Sequence, residues 1–341
     1  MFANVFMPDL PESKIKEAST FDPSIQTENI AYSPDKLLEC EGCSRQNPPN
    51  RTNCIYCGRE LAIKSADLEN TKPVIRKLDA WESGFNIIFR SVLSGAPGSA
   101  SSVLPESTVD LDSIVESNIP LPIARVESLK LAEILVERFD GLGLRCTVVS
   151  DADLSADRPP IRLRRIVITD RHFELIDFNA NTGTLVPFEE IALIVAGQLS
   201  QTRTEMLEKR RRKAETKVID EMATSADESI LDIYTRSDRT GFRVYLAGFD
   251  FSCLGDRKGL LAGENMRRLS TLLADTAPNA RVIDDYARVR HLLSGVWDVE
   301  SRTDPQGLKR SGFGKVEFGK VETTSNLEQF NKYSRLQWHL L

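Results

Sequence analysis

Hydrophobic and polar positions alternate in a way that predicts a β-α-β unit in the middle of the chain. Residues 119–126 have the β-branched content of a strand, and their two prolines favour a sheet edge because proline cannot donate to the ladder. Residues 127–140 place apolar side chains at helical spacing. Gly141 and Gly143 end that pattern before a second apolar run at 144–149.

The chain after this unit is rich in short runs of strand periodicity bounded by polar turns, which are typical of antiparallel hairpins. The predicted strands are 163–169, 173–178, 184–188, 230–235 and 242–251. Residues 189–199 fit either a strand or a helix, because an apolar run this short does not separate the two.

Three further segments predict helices. Residues 202–222 are strongly charged with few apolar positions and predict a solvated helical arm. Residues 260–276 and 282–294 carry apolar side chains on one face and predict amphipathic helices.

Composition places the chain among ordinary soluble globular proteins and restricts its partners. The 341 residues are 41% hydrophobic and 28% charged, with a net charge of −6, so nucleic-acid binding needs a local basic patch. We find no apolar run of about eighteen residues and no signal-peptide layout at the start. Four of the six cysteines lie in two close pairs, which indicates a reducing compartment and predicts a cytoplasmic protein.

The two cysteine pairs predict a metal site. Cys40 and Cys43 form one C-x-x-C pair, and Cys54 and Cys57 form the other. Four thiolates close the tetrahedral coordination of one Zn²⁺ and leave no open position, which indicates a structural ion. Gly58 supplies conformational freedom directly after the last ligand. Unrelated thiols, a disulfide pair or a rubredoxin-like iron site are the alternatives, although the ten residues between the pairs are few for iron.

The spacing C-x2-C-x3-N-x6-C-x2-C resembles Ran-binding-protein type zinc fingers and short bacterial zinc ribbons with a trailing Cys-Gly. The resemblance covers residues 38–61 and implies that Asn47 braces the knuckle. The chain departs from the former family at Leu38, where tryptophan is usual, and at Pro48, where RNA-binding members carry a stacking aromatic. Ser44 and Arg45 replace the Thr-Phe pair of its ubiquitin-binding members, whereas Arg51 matches a basic position. The bacterial zinc-ribbon pattern fits better and implies a structural or docking role.

These patterns together predict an α+β protein. We expect a four-cysteine zinc knuckle on a flexible linker, then the β-α-β unit, then a mainly antiparallel β-rich body with C-terminal helices. The body resembles a pleckstrin-homology-like barrel with a helical insertion. The expected divisions are a flexible tail 1–36, a zinc ribbon 37–62, a linker 63–110, a β-α-β domain 111–155, a β-rich domain 156–300 and a flexible tail 301–341.

Other chemistry has weaker support in the sequence. His172, His291 and His339 lie far apart, and neither a G-x-S-x-G elbow nor a phosphate-binding loop is present. Cys146 and Cys253 lie in apolar surroundings and are interpreted as small buried hydrophobes.

We therefore expect a non-catalytic adaptor or regulatory protein that contacts another macromolecule, most readily a protein. One alternative is nucleic-acid binding through the basic residues of the knuckle and of one charged run. These residues are Arg45, Arg51, Arg59, Lys209, Arg210, Arg211, Arg212 and Lys213. A second alternative is an enzyme with an unrecognised active site in the 156–300 body.

Overall fold

The computed structural model describes most of the chain after the N-terminal region. The described ranges are 37–49, 51, 53–62, 77–93, 109–155, 158–211, 217–238, 240–312 and 315–341. The predicted tail 1–36 and most of the predicted linker lie outside these ranges.

The cysteine-containing module is the first described unit. Its two short strands, β1 (Leu38–Glu39) and β2 (Gln46–Asn47), pair antiparallel around the first C-x-x-C turn. An isolated antiparallel bridge between Asn53 and Glu60 frames the second turn in the same way.

A three-stranded sheet follows, in the order β4-β3-β5. Its strands are β3 (Phe85–Val92), β4 (Pro122–Val126) and β5 (Leu144–Ser150), with helix α1 (Leu111–Ser117) before β4 and helix α2 (Leu129–Gly141) between β4 and β5. The predicted β-α-β unit is therefore present, and the proline-containing strand lies at an edge. Strand β3 was not predicted. It lies between the two strands of that unit and pairs antiparallel with both.

Nine strands form the large, mostly antiparallel sheet, whose main path runs β13-β14-β9-β10-β11-β6-β7-β8. They are β6 (Ile161–Ile168), β7 (His172–Asp177), β8 (Gly183–Pro187), β9 (Ile191–Arg211), β10 (Lys217–Thr235), β11 (Phe242–Tyr245), β12 (Arg281–Ile283), β13 (Glu300–Gly312) and β14 (Lys315–Ser325). The two predicted hairpins, β6-β7 and β10-β11, are confirmed. The strand predicted at 242–251 is shorter than expected, because β11 ends at Tyr245 and a 3-10 helix begins at Phe251. The ambiguous segment 189–199 is mainly strand.

Helices pack on these sheets. They are α3 (Asp151–Leu154), α4 (Ala262–Thr276), α5 (Tyr286–Leu293) and α6 (Leu327–His339), with 3-10 helices at Phe188–Glu190 and Phe251–Arg257. Helix α4 agrees with the predicted helix 260–276. The predicted helix 282–294 begins later than expected, because Val282 belongs to β12 and only the residues from Tyr286 are helical.

The three-stranded sheet and the large sheet share a hydrophobic core. Ile87 of β3 and Leu135 of α2 belong to the same buried cluster as Leu193 of β9 and Phe330 of α6. A second cluster lies between the opposite side of the large sheet and helix α4, which contributes Leu269 and Leu273. The α+β class is thus confirmed.

The helix expected at 202–222 is wrong, because the described part of this segment is strand. Residues on β9 pair with β10 on one side and with β14 on the other, so both sets of backbone groups are satisfied by partners distant in the chain. Charge content had favoured a helix, but long-range pairing decides the conformation.

Two other expectations are also wrong. Residues 85–92, placed in the linker, form β3, whose Ile87, Ile88 and Phe89 are fully buried. The C-terminal residues, expected to be a flexible tail, form β13, β14 and α6. Helix α6 buries Phe330 and Tyr333 completely, and this apolar contact fixes its position.

Candidate metal centre

The four cysteines of the module converge on one point. Their sulfurs all lie within 4.8 Å of one another, with Cys40 and Cys57 3.5 Å apart and Cys43 and Cys54 also 3.5 Å apart. A disulfide needs about 2.05 Å between the sulfurs, so none of these contacts is a disulfide. Four thiolates at about 2.3 Å from one tetrahedral Zn²⁺ would lie about 3.8 Å apart, close to the observed spacing.

Two equivalent backbone turns position these sulfurs. In the first turn the amide of Cys40 donates to the carbonyl of Arg45 at 3.0 Å, and in the second the amide of Cys54 donates to the carbonyl of Arg59 at 2.8 Å. Amides also donate to sulfur, from Gly42 to Cys40 at 3.3 Å and from Tyr56 to Cys54 at 3.4 Å. Each turn therefore presents two sulfurs together with N–H groups that stabilise negative charge on them.

In both turns the residue directly after the second cysteine has a left-handed backbone conformation. Gly58 occupies this position in the second turn with φ +73°, and Ser44 occupies it in the first with φ +53°. Glycine adopts this conformation without steric cost, whereas serine does not. The sequence indicated the role of Gly58 but gave no signal for the equivalent strain at Ser44.

Asn47 joins the two turns. Its side chain is fully buried, its amide donates to the carbonyl of Arg45 at 2.8 Å, and its carbonyl oxygen accepts from the backbone N–H of Ile55 at 2.9 Å. One side chain therefore fixes the first knuckle relative to the second.

The arginines of the module also pack reciprocally across it. The guanidinium of Arg45, from the first turn, lies 4.7 Å from the ring centre of Tyr56 in the second turn. The side chain of Arg59, from the second turn, lies so close to Gly42 in the first that an added Cβ there would approach the Arg59 Nε within 2.6 Å. Both arginines thus contribute to packing within the module.

The module has one buried side and one exposed apolar tip. Leu61 is buried with Cys40 and Cys54, and Leu38 and Ile134 pack against this group, so the module contacts helix α2 of the body. Ile55 and Tyr56, between the last two cysteines, are 53% and 52% exposed. Neither tip residue was predicted to be functional from the sequence.

Two thiols of the module, those of Cys54 and Cys43, have pKa values that shift in opposite directions in the absence of a cation. Burial raises the pKa of Cys54, but hydrogen bonds from the backbone amides of Tyr56 and Cys57 outweigh it and bring the pKa down to about 6. A backbone hydrogen bond from Arg45 lowers the pKa of Cys43, but burial and the neighbouring sulfurs raise it to about 12. A divalent cation bound by the four sulfurs would displace the protons of those that are not ionised.

The predicted basic residues do not all join this centre. Arg51 is half-buried in the module, whereas Lys209, Arg210 and Arg211 lie near the end of β9 in the large sheet. By register, Lys209 lies opposite Lys217 of β10 and Glu317 of β14. Arg212 and Lys213 lie outside the described residues.

The remaining cysteines and histidines give no second centre. The four module cysteines are the single cluster in the described ranges with the spacing of metal ligands. Burial raises the pKa of Cys146 to about 12 and also raises the pKa of Cys253, so both thiols stay protonated and weakly nucleophilic at neutral pH.

No family model, curated protein or solved structure matches the chain. The resemblances to zinc ribbons and to a pleckstrin-homology-like barrel therefore remain predictions.

None of the helices in the described ranges has both the length and the apolarity needed to cross a membrane.

Proposed function

We propose that the protein is a non-catalytic zinc-binding adaptor whose four-cysteine module docks on another protein. The observation that carries this proposal is the closed set of four sulfurs within 4.8 Å of one another, next to an exposed apolar tip. Four thiolates favour zinc over hard cations and leave no coordination site for a substrate, so the ion has a structural role.

The tip formed by Ile55 and Tyr56 is the surface that we assign to the partner. Both side chains are more than half exposed, although they lie between two metal-ligand positions that hold the backbone in place. A preorganised apolar pair loses little conformational entropy on binding, and tyrosine is among the residues that contribute most at protein interfaces.

A protein partner agrees better with the module than single-stranded nucleic acid does. Stacking of bases on aromatic rings supplies much of the affinity for single strands. Tyr56 is the one aromatic residue in the described part of the module, and the guanidinium of Arg45 already lies over its ring. Arg45 and Arg59 are also engaged within the module, which reduces the charge that is free for phosphates.

Metal analysis and partner capture test this function in the full-length chain. We expect one zinc ion per chain by elemental analysis and loss of the ion in the double variant Cys40→Ser, Cys54→Ser. Partner proteins captured by the wild type from an extract should be lost with that variant. Ile55→Ala combined with Tyr56→Ala should keep the zinc and reduce capture about tenfold or more, since each buried side chain contributes on the order of 1–3 kcal/mol.

A matched control separates the tip from general surface hydrophobicity. Leu185 on β8 is 65% exposed, so Leu185→Ala removes a comparable apolar group elsewhere and should leave capture unchanged. Capture that survives loss of both zinc and the tip would move the docking role to the body. Binding of single-stranded RNA that weakens steeply with salt would instead favour the nucleic-acid alternative.

A further inference from the structure

A cavity of about 420 Å³ lies where helix α3, strands β10 and β11 and helix α6 meet. This volume is within the range of about 300–1,000 Å³ that is typical of small-molecule sites. Leu154, Pro160 and Tyr245 give the cavity an apolar wall. It is separate from the cysteine module.

Two lining residues of the cavity, Tyr234 and Arg243, belong to a buried polar network. Arg243 lines the cavity and is 3% exposed, and its Nε and Nη2 donate to the two carboxylate oxygens of Asp232 at 2.6 Å and 2.8 Å. Ser334 donates to the same carboxylate at 2.7 Å, and Tyr234 and Ser334 contact each other through their hydroxyl groups at 2.9 Å. A buried ion pair adds little net stability by itself but fixes the position of its groups.

Positive charge predominates around the cavity. Arg158, Lys332 and Arg335 line it together with Arg243, against the two acidic side chains of Asp151 and Glu328. Arg125 pairs with Asp151, and Asp232 pairs with Arg243. When both of these partners are included, the cavity still has two more positive charges than negative ones. The chain as a whole has a net charge of −6, so this local balance is the reverse of the average.

Lys332 places an ammonium group at the cavity without a directly bonded counterion in the described part of the chain. It is half-buried, and among the described residues its ammonium has neither a hydrogen bond nor an ion pair. Burial, together with the nearby charge of Arg125, lowers the pKa of Lys332. The carboxylates of Asp151, Glu328 and Asp298 oppose this lowering. The carboxylate of Asp151 is itself engaged by Arg125, Asn86 and the amide of Gly84.

We propose that this cavity binds a small organic phosphate monoester. Lys332 and Arg158 contact the phosphate, Arg335 adds positive charge, and the organic part lies against the wall formed by Leu154, Pro160 and Tyr245. A phosphate monoester fits better than a monocarboxylate, because it carries close to two negative charges at neutral pH. Its three acceptor oxygens also suit charge-assisted hydrogen bonds from the ammonium of Lys332 and the guanidinium of Arg158.

Titration calorimetry on the full-length, zinc-loaded protein tests this assignment with three probes: phenyl phosphate, inorganic phosphate and benzoate. We expect saturable one-to-one binding of phenyl phosphate, with inorganic phosphate and benzoate each at least tenfold weaker. Benzoate as tight as phenyl phosphate would overturn the phosphate assignment. Inorganic phosphate as tight as phenyl phosphate would overturn the role of the apolar wall.

Three variants test whether phenyl phosphate binds in the cavity. Lys332→Met should weaken phenyl phosphate at least tenfold, whereas Lys332→Arg, which keeps the charge, should retain binding within about threefold. Lys258→Met makes the same charge change at an exposed lysine outside the cavity and should leave the affinity within twofold. Equal weakening by Lys332→Met and Lys258→Met, or absence of phenyl phosphate binding at millimolar concentration, would overturn the proposal.

Discussion

The ion pair between Asp232 and Arg243 gives the sharpest test of how the body is stabilised. Asp232 is fully buried and accepts hydrogen bonds from Arg243, from Ser334 at 2.7 Å and from Tyr234 at 3.4 Å. Asp232→Asn keeps the size of the side chain, removes its charge and places an amide N–H₂ against groups that already donate. Arg243 is then left as a buried cation without a counterion.

We expect this substitution to lower the free energy of unfolding by about 3–5 kcal/mol, the usual cost of breaking a buried pair on one side. Since domains are commonly stable by only about 5–15 kcal/mol, this loss is a large fraction of the total. Replacing both partners, with Asp232→Leu and Arg243→Met together, removes the uncompensated charge. The double variant should therefore be more stable than Asp232→Leu alone or Arg243→Met alone.

Urea unfolding followed by circular dichroism measures these differences, with Asp304→Asn as the matched control. Asp304 pairs with Arg302 at 3.0 Å, but the two side chains are 44% and 74% exposed. Solvent screens such a pair, so the control should change the free energy of unfolding by less than about 1 kcal/mol. An Asp232→Asn variant as stable as the control would show that the buried pair does not stabilise the body. A double variant less stable than both Asp232→Leu and Arg243→Met would show the same of the uncompensated charge.

Three further predictions concern other regions. Burial raises the pKa of Asp151, but its bonds to Arg125 and Asn86 outweigh this and hold it below the usual range. The ionised carboxylate of Asp151 therefore stabilises the fold above about pH 4, and this contribution is lost as the pH falls through its folded-state pKa. In acid titration, the free energy of unfolding of Asp151→Asn should fall less steeply than that of the wild type. Phe330→Ala should cost about 3–5 kcal/mol in urea unfolding, since the ring is fully buried, whereas an unchanged midpoint would place α6 outside the core. Both Gly58 and Ser44 have a positive φ, which glycine adopts most easily. Gly58→Ala should therefore weaken zinc retention against a chelator by about 1 kcal/mol, and Ser44→Gly should strengthen it. Retention equal to that of the wild type in both variants would contradict the left-handed geometry.

Sequence patterns predicted the convergence of the four cysteines and several of the local elements. The cysteine spacing alone indicates one cluster, because each C-x-x-C turn brings two sulfurs together without help from the rest of the chain. The hairpin β6-β7 and the helix α4 could also be predicted, since their alternation and amphipathic spacing lie within short segments.

The errors fall where distant segments decide the structure. No predicted strand lies next to residues 85–92 in the sequence. The strand β3 forms there because β4 and β5 pair with its two edges. The charged segment in β9 is extended because β14, more than one hundred residues later in the chain, supplies a second ladder. The tip at Ile55 and Tyr56 was missed because exposure depends on how the two turns pack, and the composition of the turns does not show it.

The position of β3 has a consequence for how the chain is made. Ile87 is synthesised well before α6, but its core also contains Phe330 and Leu336 from that helix. The core therefore cannot close until α6 has been synthesised, and contacts this distant in sequence make folding slow. Until then the nascent chain carries uncovered strands, which are prone to aggregation. Pulse proteolysis of stalled nascent chains should show protection of the segment around Ile87 only after α6 has emerged.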